Sequence, residues 1–479
     1  MAKETREPVK EKPAEGKSGS APTGLVPKLL SVFAVVHPQE VVSVLLLTLD
    51  GILLLASYYF LKVIREPLIL AAPGGAETKS YATAFLAVLL IGVFYAYRWL
   101  AQRFDRLRLI TYTKLFCVAC LVLFCVLGHM GVKIGIPFFL WVGCYSLTIL
   151  AQFWAFANDI YTPEQGKRVF AIIGVGASVG ALIGSLLAKP AVKPLGLYNM
   201  MLVPAGVLLL CLLIVRVVNA HETKDAARKK EADTPPGGKG GISMIFSHRY
   251  LLLIAVIILM VNLINTTGEY ILDRVLDAER KSRGYDEAQA KVWLGEFKAT
   301  YFFWANLGGV VLQLFVTSRV FKYLDVRGAL YIYPVIVIAG YTGMTLMPVL
   351  AVVQVGKIIE NANDYSIYNA AKQALWLPTS REQKYVAKQA IDTFVVRSGD
   401  LLSGGFVAIG AVLAFGTRTF TMINVGIGVL FLLVVVAMGR EHKKKTAEAE
   451  AHKGPADAAK EKGDSDGGDG GGKTAEAKA

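Results

Sequence analysis

Long apolar runs alternate with short polar segments along the chain, and this pattern predicts membrane-spanning helices. The apolar runs that begin at Val41, Tyr81 and Met422 are typical. Each has the length of about 20 residues that a helix needs to cross a bilayer. We predict twelve spans, at 41–64, 80–99, 109–128, 135–158, 169–189, 197–218, 250–272, 299–320, 329–346, 348–376, 390–415 and 419–438. The expected fold is an all-α integral membrane protein.

The polar segments divide the chain into five parts. Residues 1–38 and 441–479 are rich in Lys, Glu, Ala and Gly, so we expect them to be disordered tails. Residues 39–218 and 250–440 would form two six-helix bundles. Between them, residues 219–249 contain Pro235-Pro236-Gly237-Gly238 and would be a cytoplasmic linker.

The composition supports a membrane protein. Hydrophobic residues make up 54% of the 479 residues and charged residues only 18%, and the mean hydropathy is +0.48. Soluble domains carry about 25% charged residues, so an ordinary soluble enzyme is unlike this chain. The five cysteines all fall inside apolar runs, where we interpret them as small buried residues.

The formal net charge of +14 would suggest nucleic-acid binding if its position were ignored. Lys and Arg are concentrated in the loops after spans 2, 4, 6, 8, 10 and 12. Short loops rich in Lys and Arg face the cytoplasm. We therefore expect a multi-pass protein of the inner (plasma) membrane with both termini cytoplasmic, no nucleic-acid partner and a monomeric state. The charged residues 273–298 would form a short amphipathic helix on the opposite side.

Matching loops in the two halves indicate an internal duplication. RFDRLR at 103–108 follows span 2, and KYLDVR at 322–327 follows span 8. PEQGKR at 163–168 follows span 4, and PTSREQK at 378–384 follows span 10. Repeated halves of this kind are typical of transporters. The pattern predicts two pseudo-equivalent six-helix halves, as in major facilitator-like proteins.

Ionisable residues inside the spans are the candidates for function. Each costs about 2.5–3.5 kcal/mol at a helix centre, so its presence needs a reason. Spans 1, 4, 7 and 10 are the richest in polar residues and occupy equivalent places in the halves, which indicates a shared polar path. Lys357 and Glu360 are three residues apart and could instead neutralise each other. The candidates are Lys62, Arg65, Asp159, Glu269, Lys357, Glu360, Asn361, Lys372 and Arg397.

Motifs for catalysis are missing from the sequence. There is no Gly-x-x-x-x-Gly-Lys-Ser/Thr loop, no metal-ligand spacing and no nucleophile–base arrangement. We therefore predict no enzyme activity, no cofactor and no metal site. Gly176, Gly180 and Gly184 recur every fourth residue, a spacing that lets two helices approach closely.

Several segments resemble the ATP/ADP translocases of plastids and intracellular bacteria. The strongest are NANDYSIYNAAKQALWLP at 361–378 and EQKYVAKQAID at 382–392. FWAFANDI at 153–160, KRVF at 167–170 and LKVIREPL at 61–68 are similar to the family's first-half segments. The resemblance covers about residues 40–440 and implies a major facilitator fold.

The resemblance also implies roles for four residues. The family's functional lysine in helix 1, acids in helices 4 and 7, and lysine in helix 10 correspond to Arg65, Asp159, Glu269 and Lys372. Arg65 and Asp159 differ from the family's residues but keep the sign of the charge.

The expected function is secondary transport of a nucleotide, by ATP/ADP exchange or movement of a related phosphorylated anion. Basic groups in the path would bind phosphate. The acids would pair with these bases when no substrate is present. Two alternatives stay open: transport of another anionic solute or a lipid-like envelope precursor, and a non-transporting membrane scaffold or sensor on the same fold.

Overall fold

A computed structural model describes residues 40–161, 163–222, 241–380 and 382–451. Within these ranges the secondary structure is helical, without strands. The predicted N-terminal tail and most of the predicted linker and C-terminal tail lie outside the described residues. The predicted all-α class is confirmed.

The first half contains six long helices. Their bounds are Val41–Leu70 (α1), Gly75–Ala101 (α2), Arg106–His129 (α3), Gly135–Ile160 (α4), Pro163–Asn199 (α5) and Leu202–Glu222 (α6). Apolar side chains dominate each helix. The segments are helical because the bilayer offers no water to the backbone, so every polar backbone group must bond within the helix. Helix α5 is bent at Gly196, whose φ is 68°.

The second half follows a short helix, Gly241–Ser247. Its long helices are Arg249–Ser282 (α7), Glu287–Val311 continued by a π-helical stretch Leu312–Thr317 (α8), Ser318–Leu346 (α9) and Thr417–Ala451 (α12). Helix α10 consists of Leu350–Asn363, a π-helical stretch Asp364–Tyr368, and Asn369–Ala374. Helix α11 consists of Gln383–Ala387, Lys388–Ala390, Ile391–Val395 and Val396–Val412, the first and third being π-helical.

Ten helical segments of the described chain are long and apolar enough to cross a membrane, where the sequence predicts twelve spans. The difference lies in the second half. Predicted spans 8 and 9 form one continuous segment, Glu287–Leu346, which bends at Asp325 with φ of 59°. Predicted span 10 corresponds to α10, whose polar residues and π-helical stretch separate it from the strongly apolar helices.

Several helices extend beyond the bounds that hydropathy suggests. Helix α12 continues to Ala451, past the boundary set at residue 440, and α6 continues to Glu222. The short amphipathic helix expected at 273–298 is wrong: α7 runs to Ser282 and α8 begins at Glu287. The charged residues there remain in long helices because several of them are paired inside the bundle.

Helices α1 and α5 pack closely through the glycines of α5. A Cβ atom at Gly180 would lie 2.2 Å from the carbonyl oxygen of Ile52, and one at Gly184 would lie 2.3 Å from that of Ala56. Only a residue without a side chain fits at this distance. The predicted packing role of these glycines is confirmed, and it fixes α1 within the first half.

The two halves meet along α1, α2 and α5 of the first half and α7, α8 and α11 of the second. Helix α8 of the second half packs against α1 and α5, while α2 of the first half packs against α7 and α11. Residues near the end of α1 and the start of α2 therefore face the end of α7 and the start of α8.

Candidate functional site

A cavity of about 190 Å³ lies between the two halves. Helices α1 and α2, with Phe139 of α4, line it from the first half, and α7 and α10 line it from the second. Four of the predicted site residues line it: Lys62, Arg65, Glu269 and Asn361. The rest of the lining is Glu66, Lys79, Ser80, Thr83, Leu86, Phe139, Asn265, Thr266, Tyr270, Asp273 and Tyr365. The cavity is thus charged, with both signs represented.

Four of these lining charges, Glu66, Lys79, Glu269 and Asp273, form one inter-half cluster with Lys298, which lies just outside the lining. Lys79 Nζ bonds to the Glu66 carboxylate and lies 2.7 Å from Asp273 Oδ2. Lys298 Nζ lies 2.7 Å from Asp273 Oδ1 and 3.5 Å from Glu66 Oε2. Both lysines also approach Glu269 Oε2, at 4.0 and 3.8 Å. Each lysine therefore joins carboxylates from both halves.

The cluster is shielded from solvent. Lys298 is 0% exposed, and the Glu66 and Asp273 side chains are 1% exposed. A lone buried charge is very costly, so each member depends on its partners. Arg65 completes the charge balance, because its Nη2 donates to Glu66 Oε1 at 2.7 Å.

Other bonds join the halves at the same end of the bundle. Tyr270 Oη donates to Glu77 Oε1 at 2.9 Å, and Arg280 Nη1 donates to the carbonyl oxygen of Ala71 at 2.7 Å. We call this end, where α1 ends and α2 begins, the sealed end. At the opposite end, the side chain of Asp159 is 53% exposed. The structure is therefore closed across the halves at the sealed end.

Lys62 differs from the other cations of the cavity. Within the described chain it makes no ion pair with a carboxylate. Its Nζ instead lies 4.3 Å from the ring centre of Phe302 and 5.4 Å from that of Tyr59. Phe302 belongs to α8, so this cation–π contact also crosses between the halves.

The energies of these contacts differ in size. Removing one partner of a buried ion pair costs about 3–5 kcal/mol. A cation–π contact contributes about 0.5–2 kcal/mol. Drawing Lys62 from its ring contact to an incoming anion therefore costs less free energy than drawing Lys79 or Lys298 from a buried ion pair.

Glu269 is held by uncharged groups as well. Tyr301 Oη donates to Glu269 Oε1 at 2.7 Å. The Asn361 side-chain amide donates to Tyr301 Oη at 2.6 Å and lies 3.4 Å from Glu269 Oε1. Asn361 lies in the last turn of the regular part of α10, which ends at Asn363 just before the π-helical stretch Asp364–Tyr368. Such stretches are frequent at functional sites.

Lys357 and Glu360 lie behind the cavity and do not line it. Lys357 Nζ lies 2.7 Å from Glu360 Oε1 and donates to Asn265 Oδ1 at 3.0 Å. Tyr341 Oη donates to Glu360 Oε2 at 2.8 Å. The pair thus neutralises itself, which is the structural interpretation left open from sequence. It reaches the cavity only through Asn265.

Besides Lys357 and Glu360, three more predicted site residues lie outside the cavity lining. Asp159 Oδ2 lies 3.4 Å from Arg106 Nη1, and both side chains are more than a third exposed. Arg397 Nη1 lies 2.9 Å from Asp400 Oδ2. Lys372 is half-buried, and its Nζ has no ion pair or hydrogen bond within the described ranges.

Sequence reasoning did not select Lys79, Lys298 and Tyr301 as site residues. Lys79 and Lys298 stand one residue outside predicted spans that begin at 80 and 299, so the apolar runs do not include them. Glu66 and Asp273 follow predicted spans 1 and 7, which end at residues 64 and 272. A helix pattern extended toward Gly75 and Glu287 would have included both lysines.

Comparisons with known proteins agree with this architecture. The Major Facilitator Superfamily model matches residues 151–359, and the TLC ATP/ADP transporter model matches residues 297–441. ADP,ATP carrier protein 1 of Chlamydia muridarum (strain MoPn / Nigg) is 25% identical over 311 residues, which cover 54% of this chain and 55% of that protein. ADP,ATP carrier protein 2, chloroplastic, of Arabidopsis thaliana is 23% identical over 313 residues, which cover 57% of this chain and 48% of that protein.

The chain matches about half the length of these curated relatives. Among solved structures, the POT family transporter PepTSo has a TM-score of 0.60 at 11% identity. The match covers 84% of this chain and 98% of the PepTSo chain. The nucleoside transporter NupG has a TM-score of 0.53 at 12% identity and covers 84% of this chain and 99% of its own. These likenesses show the fold. The predicted major facilitator-type fold and the resemblance to the ATP/ADP translocases are confirmed.

Proposed function

We propose that the protein is a secondary transporter that exchanges ATP and ADP by alternating access. The inter-half cluster beside the cavity carries the proposal, because it places basic groups in a buried path between two facilitator-type halves. The ADP,ATP carrier relatives support a nucleotide as the substrate. On the distribution of loop charges we propose that both termini are cytoplasmic. An inner-membrane location and a monomeric state are part of the same proposal.

Chemistry explains why this cavity suits a phosphorylated anion. Phosphate groups form strong charge-assisted hydrogen bonds with Arg and Lys. Lys62, Arg65 and Lys79 all line the cavity. Arg65 presents a planar fork that matches two phosphate oxygens, whereas each lysine acts as a point charge.

A transporter must also release its substrate, and the acids make this possible because they compete with the substrate for the same bases. Glu66 holds Arg65 and Lys79 when the cavity contains no anion. A phosphate that takes over these bases weakens the bonds to Asp273 and Glu269 across the halves. The seal then opens on the side where α1 meets α2. The two arrangements of the halves, sealed and open, are in equilibrium. Substrate shifts this equilibrium only because it binds one arrangement more tightly than the other.

The size of the cavity agrees with binding of part of a nucleotide in this closed arrangement. Ligand pockets generally measure about 300–1,000 Å³, and this cavity measures about 190 Å³. Phosphates would occupy the charged cavity, and the remainder of the nucleotide would extend toward the end of the bundle where Asp159 is exposed.

Exchange in proteoliposomes tests the proposal. Vesicles loaded with ADP should take up labelled ATP, and empty vesicles should take up much less. The Arg65→Gln variant should lose uptake. Because Arg65 is only 12% exposed and pairs with the buried Glu66, it should also lose stability, so its uptake is measured on protein that thermal unfolding shows to be folded. Equal uptake by loaded and empty vesicles would contradict exchange, and no uptake of any nucleotide would overturn the proposed function.

The small volume also favours a second candidate, a smaller phosphorylated anion. Adding unlabelled phosphate and sugar phosphates to the same assay separates the two. If these compete better than ATP and ADP, the smaller anion is the substrate.

A further inference from the structure

We propose that Phe302 controls the affinity of the site by holding Lys62 until an anion arrives. This inference rests on the proposed function and assigns a positioning role to an aromatic residue of the second half. Phe302 is buried, at 3% exposure, yet the Lys62 ammonium lies against its ring. The contact joins α1 to α8, and therefore one half to the other.

The partners of the surrounding charges single out Lys62. Arg65 and Lys79 both bond to Glu66, and Lys298 is shared by Asp273, Glu66 and Glu269. Each of these bases must break a buried ion pair before it can bind an anion. Lys62 needs only to leave a ring face, so it is the base that first meets the phosphate.

Substrate binding and the Phe302 contact compete for one ammonium group. An anion that draws Lys62 away also removes a contact between the halves. The ring therefore lowers affinity while stabilising the empty, closed arrangement. It also makes opening depend on the anion, since Lys62 cannot hold both partners.

Because of this competition, the Phe302→Leu variant should change the affinity for ADP in an unusual direction. Loss of a buried ring commonly weakens binding by loosening the site. Here the variant should bind ADP about three- to tenfold more tightly, because the empty state loses a stabilising contact. The Phe302→Tyr variant keeps a ring face and should bind as the unaltered protein does.

A double-mutant cycle separates the proposed role from a general packing effect. The Lys62→Gln variant should bind ADP at least tenfold more weakly, and adding Phe302→Leu to it should give no gain. Phe303→Leu is the matched control, because the neighbouring Phe303 contacts Trp304 and no cation within the described ranges. It should leave the affinity for ADP unchanged.

The experiment measures the binding of ADP and of inorganic pyrophosphate to the purified full chain by calorimetry, with thermal unfolding as the folding check. Tighter binding in Phe302→Leu only when Lys62 is present supports the inference. Unchanged or weaker binding in a folded Phe302→Leu protein overturns it, as does an equal gain in the Lys62→Gln background. If pyrophosphate binds with this pattern but nucleotides do not bind, the proposed function fails and the inference stands. If neither anion binds the unaltered protein, both are overturned.

Should Phe302→Leu fail to fold, the Phe302→Met variant takes its place in the cycle with the same expected sign. Methionine fills a similar volume and is flexible, but it has no ring face for the ammonium group.

Discussion

Two buried carboxylates of helix α1, Asp50 and Glu66, differ in the halves of the protein from which their lysine partners come. Asp50 faces α3 of its own half, where its Oδ1 lies 3.7 Å from Lys114 Nζ. Neither of these two atoms has a hydrogen-bond partner within the described ranges. Glu66 lies beside the cavity and contacts Lys298 of the other half at 3.5 Å. One pair stabilises a single half, whereas the other belongs to a network that joins two halves.

The comparison shows that burial of charge alone does not identify a functional residue. Both carboxylates are 1% exposed, and both have a lysine nearby. Under the proposed alternating access, they differ in whether the partner belongs to a half that moves relative to the first. Alternating access changes distances between halves and leaves distances within a half largely unchanged. We therefore expect transport to depend on Glu66 and its partners and not on Asp50.

The largest expected effect comes from removing Lys298. The Lys298→Met variant leaves Asp273 and Glu66 with less positive charge in a buried site, so it should lose about 3–5 kcal/mol of stability. Nucleotide exchange should fall below detection. Lys291→Met is the control in the same helix, since Lys291 is 25% exposed and its partner Glu287 is 60% exposed, whereas Lys298 is fully buried. Thermal unfolding and proteoliposome uptake would measure both, and a stable, active Lys298→Met protein would remove Lys298 from the seal.

Replacing both Lys114 and Asp50 tests whether the pair inside the first half matters for stability alone, in contrast to the inter-half cluster. Lys114→Met alone should destabilise the protein by about 3–5 kcal/mol, because it leaves Asp50 buried and unpaired. Adding Asp50→Leu should restore the stability, since an apolar pair avoids the desolvation of two charges. Transport by the double variant should be close to that of the unaltered protein. Loss of transport in a folded double variant would show that this pair takes part in function.

A smaller effect is expected from the hydroxyl group that supports Glu269. Tyr301→Phe removes a donor to Glu269 and an acceptor for Asn361. A buried group left without its partner costs about 1–3 kcal/mol, so exchange should slow by about tenfold. Tyr333→Phe serves as the control, because the Tyr333 hydroxyl has no hydrogen-bond partner within the described ranges. The rate of ATP uptake measures both, and equal rates would deny Tyr301 a role.

The smallest effect on stability is expected at Asp159. Its contact with Arg106 is solvent-exposed, and exposed ion pairs contribute about 0–1 kcal/mol. Asp159→Asn should therefore unfold within about 1 kcal/mol of the unaltered protein, and a larger loss would mean that the pair is buried in another arrangement. A strong loss of exchange without loss of stability would show that Asp159 meets the substrate when the halves rearrange.

The sequence predicted the class of fold and four of the residues that line the cavity. Long apolar runs predict membrane helices because lipid excludes unpaired polar groups. The charges inside those runs pointed to Lys62, Arg65, Glu269 and Asn361, which line one cavity. The same reasoning selected Asp159, Lys372 and Arg397, which lie outside its lining. An apolar run shows that a charge is buried, but it does not show which way the side chain faces.

The sequence by itself determined the membrane helices, their division into two related halves and the sign of the charges available to a substrate. It did so because hydropathy and loop charge are local properties of the chain. Only the tertiary structure decided which charges meet. Lys79 and Asp273 come from different halves, yet their charged groups lie 2.7 Å apart. The packing of α2 against α7 sets that distance, and a pattern along one helix contains no information about it.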